Sequence, residues 1–240
     1  MSKNAIVFGA TSGIGRELAK LLVKDDYKVL ITGRRKVFLE ALKKSNPTSY
    51  IVRQHDITDL SDTETLFKEI PSIFDHVDLI IHNSGIMETN FDLEWSKDLP
   101  TLETNVLGAT KIYQLSYNYF KNQGFGHLVS ITSIASLVGN RHVPAYHASK
   151  AYQSNYMESL WMKAKRTKKA KINITNILPG FVDTDIIAGK TFWMAPLDKA
   201  VSQIYSAIRK KKRKVYITKR WRLIAIMMKI FPPQFLIKFL

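Results

Sequence analysis

Seven short apolar runs recur along the chain, near residues 4–8, 28–32, 50–54, 77–82, 126–132, 172–178 and 214–218. Runs of this length bounded by turn residues predict buried strands. Between them the apolar positions recur at helical spacing. Leu18, Leu21 and Leu22 mark a helix after the first strand; Ser61 to Ile70 reads as another, stopped at Pro71; Leu99 to Asn122 is a long one ended by Gly124; and a fourth runs from Ala145 to about Thr167. Strand and helix in alternation require right-handed crossovers, so the pattern predicts an α/β fold with a doubly wound, seven-stranded parallel sheet and helices on both faces. A chain of 240 residues with 45% hydrophobic content fills one such core. We expect a single domain over 1–218, followed by an apolar and basic tail over 219–240.

The first strand opens directly into Gly9-Ala10-Thr11-Ser12-Gly13-Ile14-Gly15, and a helix follows. A glycine-rich turn between strand and helix aims backbone N–H groups and the positive helix end at an anion, usually a pyrophosphate. After the second strand, where an NAD-binding fold places an acidic residue on the ribose, the chain has Gly33-Arg34-Arg35. No carboxylate stands there to repel a 2′-phosphate, and the Arg34 guanidinium can grip one, so NADP(H) is favoured over NAD(H). Arg35 and Lys36 read instead as the solvated start of a helix.

Tyr146 and Lys150 stand four residues apart, on one face of a helix. A phenol titrates near pH 10, so exchange of its proton at neutral pH calls for a neighbouring cation, which Lys150 can supply. Ser133, upstream at the end of an apolar run, can donate to an oxygen held between them, the arrangement of a proton-transfer site for alcohol and ketone chemistry. The pairing alone carries little, since Tyr117 and Lys121 share it. The small residues Ala145, Ala148, Ser149 and Ala151 around Tyr146 set it apart, because they let a flat group approach the helix.

In order along the chain, the glycine turn at Gly9, Gly13 and Gly15, Asp56 after the third strand, His82-Asn83-Ser84-Gly85 after the fourth, Asn105, the Ser133, Tyr146 and Lys150 trio, and Pro179-Gly180 with Thr184 resemble the short-chain dehydrogenase/reductases of the compact type. The resemblance runs from Asn4 to about Thr218 and implies a Rossmann-type fold. It implies that Tyr146 is the general acid of reduction and base of oxidation, that Lys150 lowers its pKa and holds the nicotinamide ribose, and that Ser133 orients the substrate oxygen. Asn105 would kink its helix and hold a water in a relay through Lys150. Thr11, Ser12 and Ile14 would join the glycines at the cofactor; Asp56 and Ile57 would meet the adenine; Asn83 and Gly85 would line the ribose; Pro179, Gly180 and Thr184 would position the nicotinamide. Hydride would come from the cofactor, with a small carbonyl or alcohol as substrate and a homodimer or homotetramer as the assembly. The other reading is a non-catalytic NADP-binding regulator of the same fold, against which the full set of proton-handling residues argues. Two positions depart from the family pattern. Phe8 stands where Thr is usual, and His82 where Asn is usual; His82 reads as a structural residue at a strand end.

Charge is uneven. Residues 1–162 hold 17 Lys and Arg against 17 Asp and Glu, whereas residues 163–240 hold 19 against 3, so the net +16 lies in the last third. The tail from Trp221 to Leu240 carries Leu223-Ile224-Ala225-Ile226-Met227-Met228 and Phe235-Leu236-Ile237, interrupted by Lys229 and Pro232-Pro233. That is too broken to span a bilayer. Short apolar helices beside basic clusters suit an anionic membrane surface, while packing on the domain or on a partner subunit suits them too, and the sequence leaves both open. No base-reading motif accompanies the charge, which argues against nucleic acid. Zero cysteines exclude disulfides and thiolate metal sites, no metal is expected, and a cytoplasmic protein, peripheral at most to a membrane, is the expected setting. Phe181 to Pro196, with Phe192, Trp193 and Met194, reads as a substrate lid or as core packing.

Overall fold

The computed structural model describes residues 3–184 and 193–230. Its seven strands are β1 (Lys3–Phe8), β2 (Tyr27–Gly33), β3 (Tyr50–Gln54), β4 (Leu79–His82), β5 (Phe125–Ile131), β6 (Lys171–Pro179) and β7 (Lys214–Ile217). They form one parallel sheet in the order β3-β2-β1-β4-β5-β6-β7. The helices between them are α1 (Gly13–Lys24), α2 (Lys36–Ser45), α3 (Leu60–Ile73), α4 (Trp95–Leu102), α5 (Ala109–Gln123), α6 (Pro144–Arg166) and α7 (Leu197–Arg209), and α8 (Trp221–Ile230) follows β7.

Side chains alternate across each strand and both faces are covered, which is why the strands read as near-continuous apolar runs. Val7, Val29, Ile31, Ile81 and Val129 face α1, α2 and α7. Ile6, Phe8, Leu30, Ile80 and Leu128 face α3, α5 and α6. The sequence order of strands reverses direction between β1 and β4, so the crevice of this sheet opens at their carboxyl ends.

The structure refines three expectations. The long helix expected from Leu99 begins at Trp95 and is split by a π turn, Glu103–Gly108, between α4 and α5; Gly124 then ends α5 in the left-handed region, at φ +93°. Pro71 does not stop α3, which runs to Ile73, because a proline in the last turn forfeits one bond while Phe74 N–H still reaches Ile70 O at 2.9 Å. Phe8, unusual for its position, is wholly buried, stacked on Phe67 at 6.0 Å and edge-on to His55 at 5.7 Å. Its neighbour across the β1–β4 pairing is His82, so the two departures from the family pattern lie side by side.

Candidate active site

The turn between β1 and α1 is built by contacts that only glycine permits. Gly9 and Gly13 have φ of +83° and +52°, and a Cβ on Gly15 would lie 2.1 Å from the Gly9 carbonyl. Asn83 Nδ2 donates to that same carbonyl at 2.9 Å, so Asn83 braces the turn from behind. Ser12, at the N-cap of α1, makes no side-chain cap bond, and Thr184 closes over Gly13 from the far side of the crevice.

Arg35 is exposed at the N-cap of α2, the solvated helix start expected, and it also reaches back: its Nη2 donates to Thr11 Oγ1 at 2.9 Å and Ser12 Oγ at 2.8 Å, and its guanidinium lies 4.7 Å from the centre of the Phe38 ring. A cation therefore sits on the lip of the glycine turn. Arg34 is exposed and lines a hollow of about 320 Å³ with Arg53, Gln54, His55, Asp56 and Asp62. Arg53 is held there by Asp62 and Glu69, whereas Arg34 has no ion-pair partner among the described residues. Asp56 accepts from Thr58 through N and Oγ1, at 3.0 and 2.9 Å. Ile57 is buried, with its main chain against Gly108.

At the end of β5 the chain turns sharply, and Ser133, in extended backbone, accepts from Ala135 N at 3.1 Å through Oγ and stands beside the Tyr146 phenol at the head of α6. Burial pushes that phenol above its ordinary value, and the Ser133 contact pulls the other way. Lys150 is one turn further along α6 and 3% exposed; burial lowers its ammonium to about 8. Its Nζ lies 5.6 Å from the centre of the Tyr146 ring. Gly85 faces it closely, since a Cβ there would stand 3.1 Å from Nζ and 3.3 Å from Asn105 Oδ1.

Asn105 occupies the π turn. Its side-chain amide is fully used: Oδ1 accepts from Ile86 N at 3.0 Å, and Nδ2 donates to Ile86 O at 2.8 Å and Ser149 Oγ at 3.1 Å. A π turn shifts a carbonyl out of the ordinary helical ladder. Here the Asn105 carbonyl accepts instead from Gln153 Nε2 at 2.8 Å, and Gln153 Oε1 accepts from Lys150 Nζ at 3.2 Å. Gln153, fully buried, was not among the expected site residues. The signal was present in its spacing, three residues after Lys150 on the same helix face.

His82 is buried, and burial lowers its imidazole to about 3, so it is neutral. Its Nδ1 lies 3.3 Å from Tyr113 Oη, which in turn bonds Ser130 Oγ at 2.7 Å; Nε2 has no partner among the described residues. Pro179 ends β6, and at Gly180 a Cβ would fall 2.2 Å from the Trp221 indole, so the first residue of α8 is wedged against this turn. Phe181 and Trp193 meet Trp221 edge-on at 5.5 and 6.5 Å. Of the expected lid, residues 185–192 lie outside the described residues, Phe192 among them; its base is closed by Asp183 N to Ala195 O at 3.0 Å and Ala195 N to Phe181 O at 2.9 Å. Close approaches thus link Gly13 with Thr184, Gly15 with Asn83, and Gly85 with Asn105 and Lys150, while Arg34 and Asp56 share the separate hollow beyond β2.

A family model described as short chain dehydrogenase matches residues 3–194. An uncharacterized oxidoreductase of Myxococcus xanthus is 31% identical over 197 residues, 80% of this chain and 77% of that protein. Carbonyl reductase family member 4 of Xenopus tropicalis is 31% identical over 193 residues, 79% of each. Among solved structures, a short chain dehydrogenase/reductase from Burkholderia phymatum in complex with NAD superposes with a TM-score of 0.84 at 16% identity, over 94% of this chain and 92% of that one.

Proposed function

This chain belongs to the short-chain dehydrogenase/reductase family and is an NAD(P)-dependent oxidoreductase; from that premise we propose that it is an NADPH-dependent carbonyl reductase acting on an apolar, lipid-derived substrate. The single observation that carries the reading is the convergence of Ser133, Tyr146 and Lys150 at the head of α6, with Gly85 against the Lys150 ammonium.

The residues fit a nicotinamide dinucleotide. Gly9 N–H and Ala10 N–H are tied to the Thr32 carbonyl at 3.1 and 2.9 Å, so a diphosphate would be met by the first N–H groups of α1 beyond Gly13, and Gly85 keeps clear a space beside Lys150 Nζ that a Cβ would fill. Thr11, Ser12, Ile14 and Gly15 would complete the diphosphate cradle; Asp56, Ile57, Asn83 and Gly85 would meet the adenosine and ribose; Pro179, Gly180 and Thr184 would flank the nicotinamide. Arg34, at the rim of the hollow with no ion-pair partner among the described residues, would take the 2′-phosphate, which is the reason for preferring NADPH. When bound, the cofactor supplies the hydride that reaches the carbonyl carbon.

The protein's own part is proton chemistry and placement. Ser133 Oγ donates to the substrate oxygen and fixes its position beside the Tyr146 hydroxyl. With its pKa raised by burial, Tyr146 keeps its proton at neutral pH and can donate it to the oxygen as that oxygen becomes an alkoxide. Lys150 stabilises the phenolate left behind, being still cationic below about pH 8. In the reverse direction the same phenolate accepts the alcohol's proton.

The apolar substrate is inferred from Phe181, Trp193 and Trp221, which gather beside Gly180. Assembly as a homodimer or homotetramer would use the outer faces of the π turn and α6, where Leu107 and Met162 are exposed. The setting proposed is cytoplasmic, with peripheral membrane contact through residues 219–240. A screen of NADPH oxidation against carbonyl compounds of graded chain length tests the activity: kcat/KM should rise with chain length. A flat series would remove the apolar substrate, and no oxidation of any member would remove the reductase.

A further inference from the structure

Helix α8 is apolar at eight of its ten positions, Arg222 and Lys229 being the exceptions. Trp221 and Ala225, 4% and 1% exposed, face inward and pack on Ile134, the residue after Ser133, with Ile224 and Met228 partly buried beside them. Leu223, Ile226, Met227 and Ile230 recur at the i, i+3, i+4, i+7 spacing of a single helix face, and that face is outward: they are 63%, 45%, 48% and 72% exposed. An ordinary surface helix carries charge there. Four large apolar side chains in a row on the outside need something to cover them.

Charge selects what that is. The stripe is flanked at its N-terminal end by Lys219, Arg220 and Arg222, all exposed, and the run from Arg209 to Lys214 leads into the strand just before it. Lys219, Arg220 and Arg222 would face their own kind if the same face of a second copy covered the stripe. An anionic surface would instead be attracted. Among the described residues no helix is long and apolar enough to cross a membrane, which leaves lying in the interface as the geometry for such a helix.

We infer that the outward face of α8, Leu223, Ile226, Met227 and Ile230, docks in the plane of an anionic phospholipid surface, with Lys219 and Arg222 on the headgroups. This gives the peripheral contact proposed above a defined surface. The docked element is also a wall of the crevice: Trp221 is wedged on Gly180, and Arg220 Nη2 donates to the Trp193 carbonyl at 2.9 Å. A substrate held in the lipid would thus meet the nicotinamide end of the site first.

The test uses the full chain in sedimentation with phosphatidylcholine vesicles, with and without phosphatidylglycerol. The wild type should partition to the anionic vesicles and be released by salt. Leu223→Gln, Ile226→Gln and Met227→Gln together preserve charge at exposed positions, and should lower partitioning at least about tenfold with an unchanged thermal midpoint. Lys219→Gln and Arg222→Gln should each cost about fivefold, the equivalent of roughly 1 kcal/mol per cation near an anionic surface. Equal binding to neutral vesicles, or undiminished binding by the triple variant, would overturn the inference. So would a lipid-free oligomer that the triple variant dissociates, since the stripe would then be an interface between copies. Because vesicle binding needs no turnover, carbonyl reduction without binding sinks the docking surface alone, and binding without reduction sinks the catalytic reading alone.

Discussion

The side chain of Gln153 accepts from Lys150 Nζ at 3.2 Å while its other amide atom donates to the Asn105 carbonyl at 2.8 Å, tying the buried ammonium to the π turn. A neutral acceptor steadies the cation without offsetting its desolvation. Gln153→Glu would place a carboxylate at that position and raise the Lys150 pKa by about 1–3 units, moving the alkaline limb of kcat/KM upward from near pH 8. Gln153→Leu should move the limb down. A pH profile of NADPH-dependent reduction decides, and identical limbs in all three proteins would remove Gln153 as a positioning residue.

Tyr146→Phe removes the proton donor and keeps the ring. Turnover should fall by about 10²–10⁴-fold, the usual worth of a positioned general acid. Cofactor affinity, read by fluorescence titration, should stay within a small factor, because Lys150 and Gly85 remain in place. Retained turnover would assign the proton to another group.

Two arginines follow Gly33, and the structure gives them different work. Among the described residues Arg34 has no ion-pair partner at the hollow, whereas Arg35 is spent on Thr11 and Ser12. Arg34→Ala should therefore weaken NADPH by about tenfold to a hundredfold, as expected for one charge-assisted contact, and leave NADH nearly unchanged. Arg35→Ala should weaken both cofactors alike. Isothermal titration of the two variants with both nucleotides separates these outcomes, and reversed behaviour would move the 2′-phosphate to Arg35.

The parts of this site that announce themselves in the sequence are those whose chemistry is local. Gly9, Gly13 and Gly15 are demanded by a turn within seven residues, and Tyr146 and Lys150 lie within one helical turn, so spacing together with the small residues beside Tyr146 places them. Arg35 was legible as the solvated start of α2, but not its bonds to Thr11 and Ser12, which lie over twenty residues earlier. Trp221 shows the same limit. Nothing in the tail says that its indole closes on Gly180, since that contact exists only once β7 has paired with β6 and brought α8 across. The π turn at Asn105 was legible only as an expected kink, because helical periodicity runs through it almost undisturbed.

Trp221 against Gly180 leaves no room for a methyl group, which would lie 2.2 Å from the indole. Gly180→Ala should displace Trp221 and loosen α8, destabilising the protein by about 1–3 kcal/mol, the usual cost of overpacking. It should also raise KM more than it lowers kcat, because Ser133, Tyr146 and Lys150 keep their positions. Urea melts and steady-state kinetics on one preparation test both halves. An unchanged melt would mean that the indole moves aside freely.

Lys150 supplies the last prediction through its cost. Its pKa is lowered from the usual 10.5 to about 8 by burial, so the unfolded chain holds this proton more tightly than the folded protein. The penalty is present in full below about pH 8 and is relieved as pH rises towards 10.5, where both states are neutral. Lys150→Met removes the penalty and leaves Gln153 Oε1 without its donor. The stability of the variant relative to the wild type should therefore be greatest at pH 7 and should decline by on the order of 3 kcal/mol by pH 10.5. Urea unfolding of both proteins at several pH values measures that difference, in which the other titrating groups cancel. A pH-independent difference would mean that Lys150 is better solvated than its burial implies, and the ammonium would then be a weaker partner for the Tyr146 phenolate than the proposed mechanism needs.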